Sequence, residues 1–314
     1  MSRRVHLGLD VGGTASRWVA SDDGGEVLAR GQAGGATGHI FNPAEKERLS
    51  LALGAIGKSL AEAGLAAKSL TAGITGYGSA VAVDVKVLAG QVLGIEPDAI
   101  TIMDDIVLAY VANFAPGEGH LVAAGTGSVG LHIAQDGSFV RVGGRGILID
   151  DAGSGSWIAL KALDQIYRIL DHTGSFAGAE ALAEQMFAEI GGNRWHDVRQ
   201  FIYAGDRGRI GSLAVAVARA AEAGDETALA ILRQAGGELA ELAKAMRSRV
   251  GERPIRFVGG VLQLHPVILG EINRCLDRHD VRSANADAAL AAAQLRAGRH
   301  QAWNEVLAVT SSLA

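Results

Sequence analysis

The apolar positions of the chain fall into short continuous runs near both ends and a long tract of helical spacing between them. Runs at 5–9, 17–21, 70–74 and 100–103 are bounded by glycine, threonine and aspartate, which predicts strands. Two or three strands occupy Val5 to about Gly31, and a polar, glycine-rich loop follows over 31–39. Pro43 suits an early helical position. The leucines at 49, 51, 53 and 60, interleaved with charge, carry that predicted helix to about Ala63. The strand ending at Met103 meets Asp104-Asp105, and a helix is expected from Ile106 to about Phe114. After Ala115-Pro116-Gly117-Glu118-Gly119, strands are expected at 121–124, 129–133 and 139–142, then a helix from Ser156 to Leu170.

Residues 176–250 read as helical, with breaks at Gly191-Gly192, Ala204-Gly205 and Ala223-Gly224-Asp225. A strand over 255–261 follows, then a helix from Pro266 to about Leu276 and an alanine-rich helix from Ala286 to Ala297. A last short helix over 301–313 is expected to pack back on the first domain. Strands alternating with helices predict an α/β chain. The expected domains are 1–116, 117–297 with a helical insertion, and a terminal segment 298–314.

Two turns stand out from this pattern. Asp10-Val11-Gly12-Gly13-Thr14 lies between two strands, and Gly125-Thr126-Gly127-Ser128 repeats the arrangement beyond the boundary. Successive glycine N–H groups in such turns can form an anion nest, and a neighbouring carboxylate can hold Mg²⁺ or its water. An ordinary hairpin turn also favours Gly-Gly. A P-loop is excluded by the lack of a nearby lysine, and a Rossmann turn by the strand that follows. The recurrence suggests an internal duplication with two phosphate-holding hairpins. Asp104-Asp105 ends a buried strand, where open α/β sheets place their chemistry; helix capping is the competing role, and the pair is read as one aspartate for each. Gly143-Gly144-Arg145 to Gly155 puts acidic and small residues before a helix N-terminus, where free N–H groups bind oxygen ligands. Gly259-Gly260 permits backbone approach to a flat ligand or is a plain strand-to-helix turn. Trp157 is expected in the core ahead of a ligand platform.

Composition narrows the chemistry. The 314 residues are 48% hydrophobic and 20% charged, a globular balance. The net charge of −5 argues against nucleic acid or an anionic membrane as the main partner. Cys275 is the one cysteine, so one chain makes neither a disulfide nor a cysteine-ligated cluster. Met1-Ser2-Arg3-Arg4 runs into a strand without a signal-peptide core, and no stretch is apolar enough to span a bilayer. A cytoplasmic location is the expectation.

Taken in order, both hairpins, the Asp105 strand end, the 143–155 segment and Gly259-Gly260 resemble the actin/Hsp70/sugar-kinase superfold. Within it the chain is similar to the BadF/BadG/BcrA/BcrD group that contains N-acetylglucosamine and glucosamine kinases. The resemblance covers nearly the whole length. Gly143-Gly-Arg…Asp151-x-Gly-Ser-Gly resembles the bacterial glucosamine kinases in particular. It implies two ribonuclease-H-like (actin-like ATPase) domains with a cleft between them, hinged near residue 116. It implies ATP with its phosphates on Gly12, Gly13, Thr14, Gly125, Thr126, Gly127 and Ser128, its adenosine near Gly259 and Gly260, and Mg²⁺ on Asp10, through water. Thr75, Gly76, Asp105 and Asp151 would bind an amino sugar, with Asp105 as general base for its 6-hydroxyl. His39 and Arg145 are counted with the sugar-binding set. Arg145 is left open between touching a phosphate and orienting Asp105 or Asp151. His39 stands where many relatives have asparagine, and Asp150 and Ala152 replace commoner residues around Asp151, which bears on the sugar more than on the reaction.

Activator ATPases of the same family hold a [4Fe–4S] cluster with two cysteines from each of two subunits, and Cys275 alone argues against that role. An N-acetylmuramic acid kinase is a further alternative. Sugar-sensing repressors add a DNA-binding helix-turn-helix, for which the start of the first strand at Val5 is expected to leave no room. Relatives are often dimers, so a homodimer is compatible with the resemblance.

Overall fold

Two five-stranded sheets carry the chain, and both are wound in the same order. The computed structural model describes residues 2–205, 207–276, 281–297 and 301–310. In chain order the first elements are β1 (Arg3–Val11), β2 (Ala15–Ser21), β3 (Val27–Gly34), α1 (Pro43–Glu62), β4 (Leu65–Ile74), α2 (Ala82–Leu93), β5 (Ile100–Asp104) and α3 (Asp105–Asn113). They are followed by β6 (His120–Ala124), β7 (Ser128–Ile133), β8 (Phe139–Gly143), α4 (Gly155–Thr173), α5 (Glu180–Ile190), α6 (Trp195–Ala204), α7 (Arg207–Ser212), α8 (Ala214–Glu222) and α9 (Glu226–Val250). The chain closes with β9 (Ile255–Val258), α10 (Pro266–Cys275), β10 (Val281–Ser283), α11 (Ala288–Leu295) and α12 (Gln301–Thr310).

The first sheet has the order β3-β2-β1-β4-β5 and the second β8-β7-β6-β9-β10. In each, the opening strand pairs antiparallel with the next one in sequence and parallel with a strand reached through a helix. This is the α/β, actin-like ATPase architecture expected from the sequence, with one such unit built by each half.

The chain divides into two compact units, Met1–Glu118 with Ile133–Phe139 and Ala286–Ala314, and Gly119–His132 with Val140–Asn285. The expected second domain ran to residue 297, whereas α11 belongs to the first unit. The reason is packing: a Cβ on Gly8 of β1 would overlap the backbone of Ala289 and Ala293. The missing side chain and the helix's small residues let α11 lie directly on the sheet, burying Ala289, Ala292 and Ala293. In α12, Trp303 is buried and its indole N–H donates to the carbonyl of Phe114 at 3.0 Å. Residues 298–300 and 311–314 of the expected terminal segment lie outside the described residues.

Local chemistry explains most element bounds. Asn42 caps α1 by accepting from the Ala44 N–H, with Pro43 in the first turn. Ser154 caps α4 through the Trp157 N–H, and Asp225 caps α9 through the Ala228 N–H. Trp157 packs against the core of the second unit, with the Lys161 ammonium over its ring. Three elements depart from expectation. β4 begins at Leu65, five residues before the expected Leu70, because residues 65–69 complete the parallel ladder with β1. α2 and β10 were not expected at all.

Candidate active site

In the first unit, the parallel strands β1, β4 and β5 end side by side. Val11 pairs with Ile74 and Ile74 with Asp104, so the Asp10–Gly12 corner, Thr75-Gly76 and Asp104-Asp105 share one edge. Gly12 donates to the Ala15 carbonyl at 3.0 Å and closes the first turn. Gly13 and Thr14 are exposed, and a Cβ on Gly13 would meet nothing within 4 Å. The fold itself therefore does not demand glycine at Gly13, and the free space is available to a ligand. Behind the turn the backbone is tight: a Cβ on Gly35 would overlap Gly13 and Thr14. Arg48 of α1 reaches over to donate to the carbonyls of Gly13, at 3.1 Å, and Gly35, at 3.2 Å. Glu45 holds that guanidinium and accepts from the Thr37 hydroxyl.

Two carboxyls at this edge are electrostatically unusual. Burial pushes Asp10 above its ordinary value, and the nearby Asp105 carboxylate adds to the shift. Arg17, opposite Asp10 in the β1–β2 ladder, offsets part of it, with Nη1 3.6 Å from Oδ2. Asp105 is raised further, to about 7, chiefly by burial, then by the Asp104 charge and a hydrogen bond shared with Asp104. The Thr75 hydroxyl and the Ile106 N–H oppose this by donating to the ionised form. Asp104 occupies the N-cap position of α3, yet its side chain makes no capping bond. The capping role expected for one of the pair is therefore not taken by Asp104's side chain, because Asp104 turns to Asp105.

The loop over 35–40 rests on the Thr75–Tyr77 turn. Gly38 donates to the Thr75 carbonyl at 2.9 Å. The His39 imidazole lies over Gly76, whose φ of +72° and missing Cβ make room for the ring: a Cβ there would come 2.5 Å from Nε2. His39, Thr75, Gly76 and Asp105 thus form one group, with Asp10 and the first turn beside it.

In the second unit the corresponding turn is supported differently. Gly125 donates to the Gly127 carbonyl. The first residues of α4 hold it from below, with Gly155 and Ser156 donating to the carbonyls of Gly125 and Thr126. Asp151 is 2% exposed and lies under the turn. Its Oδ1 accepts from the Ser128 N–H at 3.4 Å, and a Cβ on Gly127 would be 3.0 Å from both carboxylate oxygens. Oδ2 is buried without a hydrogen bond, with Arg207 Nη1 at 3.7 Å. Burial raises the Asp151 carboxyl, while Ser128 and Arg207 oppose the rise. Asp151 also holds φ at +58°, a left-handed conformation that costs a non-glycine residue.

Arg145 is engaged with its neighbour Asp150 in the second unit. Its guanidinium pairs with Asp150 at 2.9 Å, and Asp150 also accepts from the Arg145 and Asp151 N–H groups. Partial burial of Asp150 is outweighed by these donors, which hold it below the usual carboxylate range. Gly259 and Gly260 follow β9, whose pairing with β6 brings them to the Ala124–Gly125 end of the second turn. Gly259, at φ +111°, would overlap the Ala124 carbonyl with any side chain, whereas Gly260 faces open space.

Three functional candidates were missed by sequence reasoning: Arg17, Arg48 and Arg207. Arg17 was legible once the first hairpin was assumed, since a two-strand register sets it opposite Asp10. Arg48 and Arg207 lie in helical tracts where a tertiary contact leaves no local signal.

A divalent cation fits the first edge. Two partly buried carboxyls, Asp10 and Asp105, raise the charge cost there and are only partly offset by Arg17. Among the described residues no cluster of three or more His, Cys, Asp or Glu side chains could hold a metal. Mg²⁺ is commonly held by one or two carboxylates, water and phosphate oxygens, and Asp10 and Asp105 are carboxylates of that kind. No described helix is long and apolar enough to cross a membrane.

A model of the BadF/BadG/BcrA/BcrD ATPase family matches residues 7–289. Among solved structures, a candidate N-acetylglucosamine kinase of Chromobacterium violaceum is 25% identical, with a TM-score of 0.70 over 94% of this chain and 100% of that one. A candidate N-acetylglucosamine kinase of Porphyromonas gingivalis is 18% identical, with a TM-score of 0.71 over 94% and 99%. A ROK family glucokinase of Streptomyces griseus, in complex with glucose and AMPPNP, is 18% identical, with a TM-score of 0.58 over 92% and 97%. No curated protein matches the chain.

Proposed function

Because the chain belongs to the BadF/BadG/BcrA/BcrD ATPase family, we propose that it transfers the γ-phosphoryl group of ATP to the 6-hydroxyl of an amino sugar, glucosamine or N-acetylglucosamine. The observation that carries this reading is the Asp105 carboxyl, poised at about 7 at the end of β5. A base with that value is part-ionised at neutral pH and accepts a proton from an attacking hydroxyl, an effect that contributes roughly 10²–10⁴-fold. Thr75 orients it from one side and Asp104 tunes it from the other. His39 and Gly76 border the space in which the sugar would sit.

Phosphoryl transfer depends on positioning and charge neutralisation more than on covalent chemistry. At the turn that Gly12 closes, the exposed Gly13 and Thr14 would receive phosphate oxygens, as would the Gly125–Ser128 turn. Gly260 offers backbone approach to the base. Asp10 would hold Mg²⁺, which supplies charge neutralisation at the phosphates. Asp151 supports the second turn, so its contribution to substrate binding is indirect in this reading. The C. violaceum relative, at 25% identity, supports the choice of an amino sugar.

The test is a coupled ADP-release assay with Mg-ATP against glucosamine, N-acetylglucosamine, N-acetylmuramic acid, glucose and no sugar. Strong turnover with glucosamine or N-acetylglucosamine, and little without sugar, is expected. ATP hydrolysis unaffected by every sugar would overturn the reading in favour of a sugar-independent ATPase.

A further inference from the structure

In the first unit, Arg48 ties the glycine turn to the loop that borders the sugar space. It lies on α1 one helical turn after Glu45, so the two side chains share a face. Arg48 Nη1 donates to Glu45 Oε1 at 2.8 Å, and Nη2 donates to the carbonyls of Gly13 at 3.1 Å and Gly35 at 3.2 Å. Glu45 Oε2 accepts from the Thr37 hydroxyl at 2.7 Å, and Thr37 Oγ1 accepts from the His39 N–H at 3.3 Å. A continuous hydrogen-bonded path thus runs from the Gly13 carbonyl to the backbone of His39, whose ring lies over Gly76. The Thr37 hydroxyl, joined by Arg48, holds the Glu45 carboxyl below its ordinary value against the opposing effect of burial. The path therefore keeps its central charge at neutral pH.

Peptide geometry gives the Gly13 contact its consequence. A peptide unit is planar and trans, so the Gly13 carbonyl and the Thr14 N–H lie in one plane and point opposite ways. Glycine lets that plane swing. Arg48 holds the carbonyl toward α1, which turns the Thr14 N–H away from α1 at an exposed position. The same nitrogen holds the Gly35 carbonyl, and the N–H of the next residue, Ala36, donates to Gly12 at 3.1 Å. A guanidinium suits this task because its donors are spread over a rigid planar fork, whereas a lysine ammonium is a single point of charge. Resting on the reading that the first turn takes nucleotide phosphates, we propose that Arg48 is a positioning residue with two outputs. Through Gly13 it aims the Thr14 N–H at a phosphate oxygen. Through Glu45 and Thr37 it makes the loop over 37–42 respond when the turn is occupied.

The test combines calorimetric titration of the full chain with Mg-AMPPNP, in the absence of sugar, with hydrogen exchange of the backbone over 37–42. In wild type, the nucleotide is expected to slow exchange in that loop. Arg48→Met should weaken AMPPNP about tenfold and abolish the slowing, with a melting temperature close to that of wild type. Arg48→Lys keeps the charge without the fork, so it should recover little of either and serves equally should the Met variant fold poorly. Thr37→Val cuts the path beyond Glu45: AMPPNP affinity should hold while the slowing is lost, a separation that a purely structural role for Arg48 does not produce. Wild-type affinity in Arg48→Met, full recovery in Arg48→Lys, or slowing that survives both Arg48→Met and Thr37→Val would overturn the proposal. A wild-type chain that fails to bind AMPPNP would overturn it together with the nucleotide reading. The expected pattern without any sugar-stimulated ADP release would leave Arg48 in this role and remove only the sugar from the proposed reaction.

Discussion

The two glycine turns have the same place in two sheets of the same order, yet their acidic partners do opposite work. Beside the first turn, Asp10 stays partly exposed, and the deeper Asp105 is held near neutrality by burial and Asp104. The scaffolding there is basic: Arg48 grips the turn from α1. Beneath the second turn the acid itself is scaffold. Asp151 is buried, strained and hydrogen-bonded to the backbone it supports. The carboxylates near the first glycine turn keep partial exposure and raised values, whereas the one under the second turn is built into the fold, so similar turns sit beside carboxylates in different environments.

The largest effect that separates the two roles is expected at Asp105. Asp105→Asn should lower kcat by roughly 10²–10⁴-fold while leaving ATP affinity unchanged, read by steady-state kinetics and nucleotide binding. Stability should not suffer. Burial and Asp104 raise the native carboxyl from 3.8 to about 7. The folded chain therefore binds this proton more tightly than the unfolded one, and that stabilisation is lost as pH rises through about 7. Above neutrality the Asn variant should melt no lower than wild type.

Next come the glycines, which separate fold from ligand. Gly259→Ala places a side chain at φ +111° against the Ala124 carbonyl and should cost roughly 1–3 kcal/mol, seen as a lower melting temperature. Gly13→Ala meets empty space, so the melting temperature should hold while KM for ATP rises about tenfold. Asp151→Ala removes the acceptor from the Ser128 N–H, leaves that donor buried, and should destabilise by about 1–3 kcal/mol. It should also raise KM for ATP more than KM for sugar, and Asp151→Asn, which keeps an acceptor, should recover part of both. The smallest effect is expected at Asp104: Asp104→Asn removes a neighbouring charge and should move the acidic-limb inflection of kcat to lower pH than in wild type.

Much of this comparison was legible in the sequence, and its gaps have physical causes. Both turns, the Asn42-Pro43 start of α1 and the Asp105 strand end announced themselves through turn chemistry and strand length. α2 did not, because Val83, Val85 and Val87 alternate as in a strand; in the helix Val85 is buried while Val83 and Val87 face solvent. The placement of α11 on β1 depends on Gly8, whose role is a contact some 280 residues away along the chain. The burial of Asp151 and the pairing of Arg145 with Asp150 likewise follow from tertiary packing. The family resemblance placed Asp151 and Asp105 at the same sugar, and nothing in the local sequence separates them.

The most direct test of the central claim is the pH dependence of sugar-stimulated ADP release by wild type and Asp105→Asn. If Asp105 is the base, the wild-type rate rises with pH through an inflection near 7, and the variant's residual rate lacks that inflection. A variant with the wild-type rate and profile would contradict the claim and return the base to Asp104 or another group.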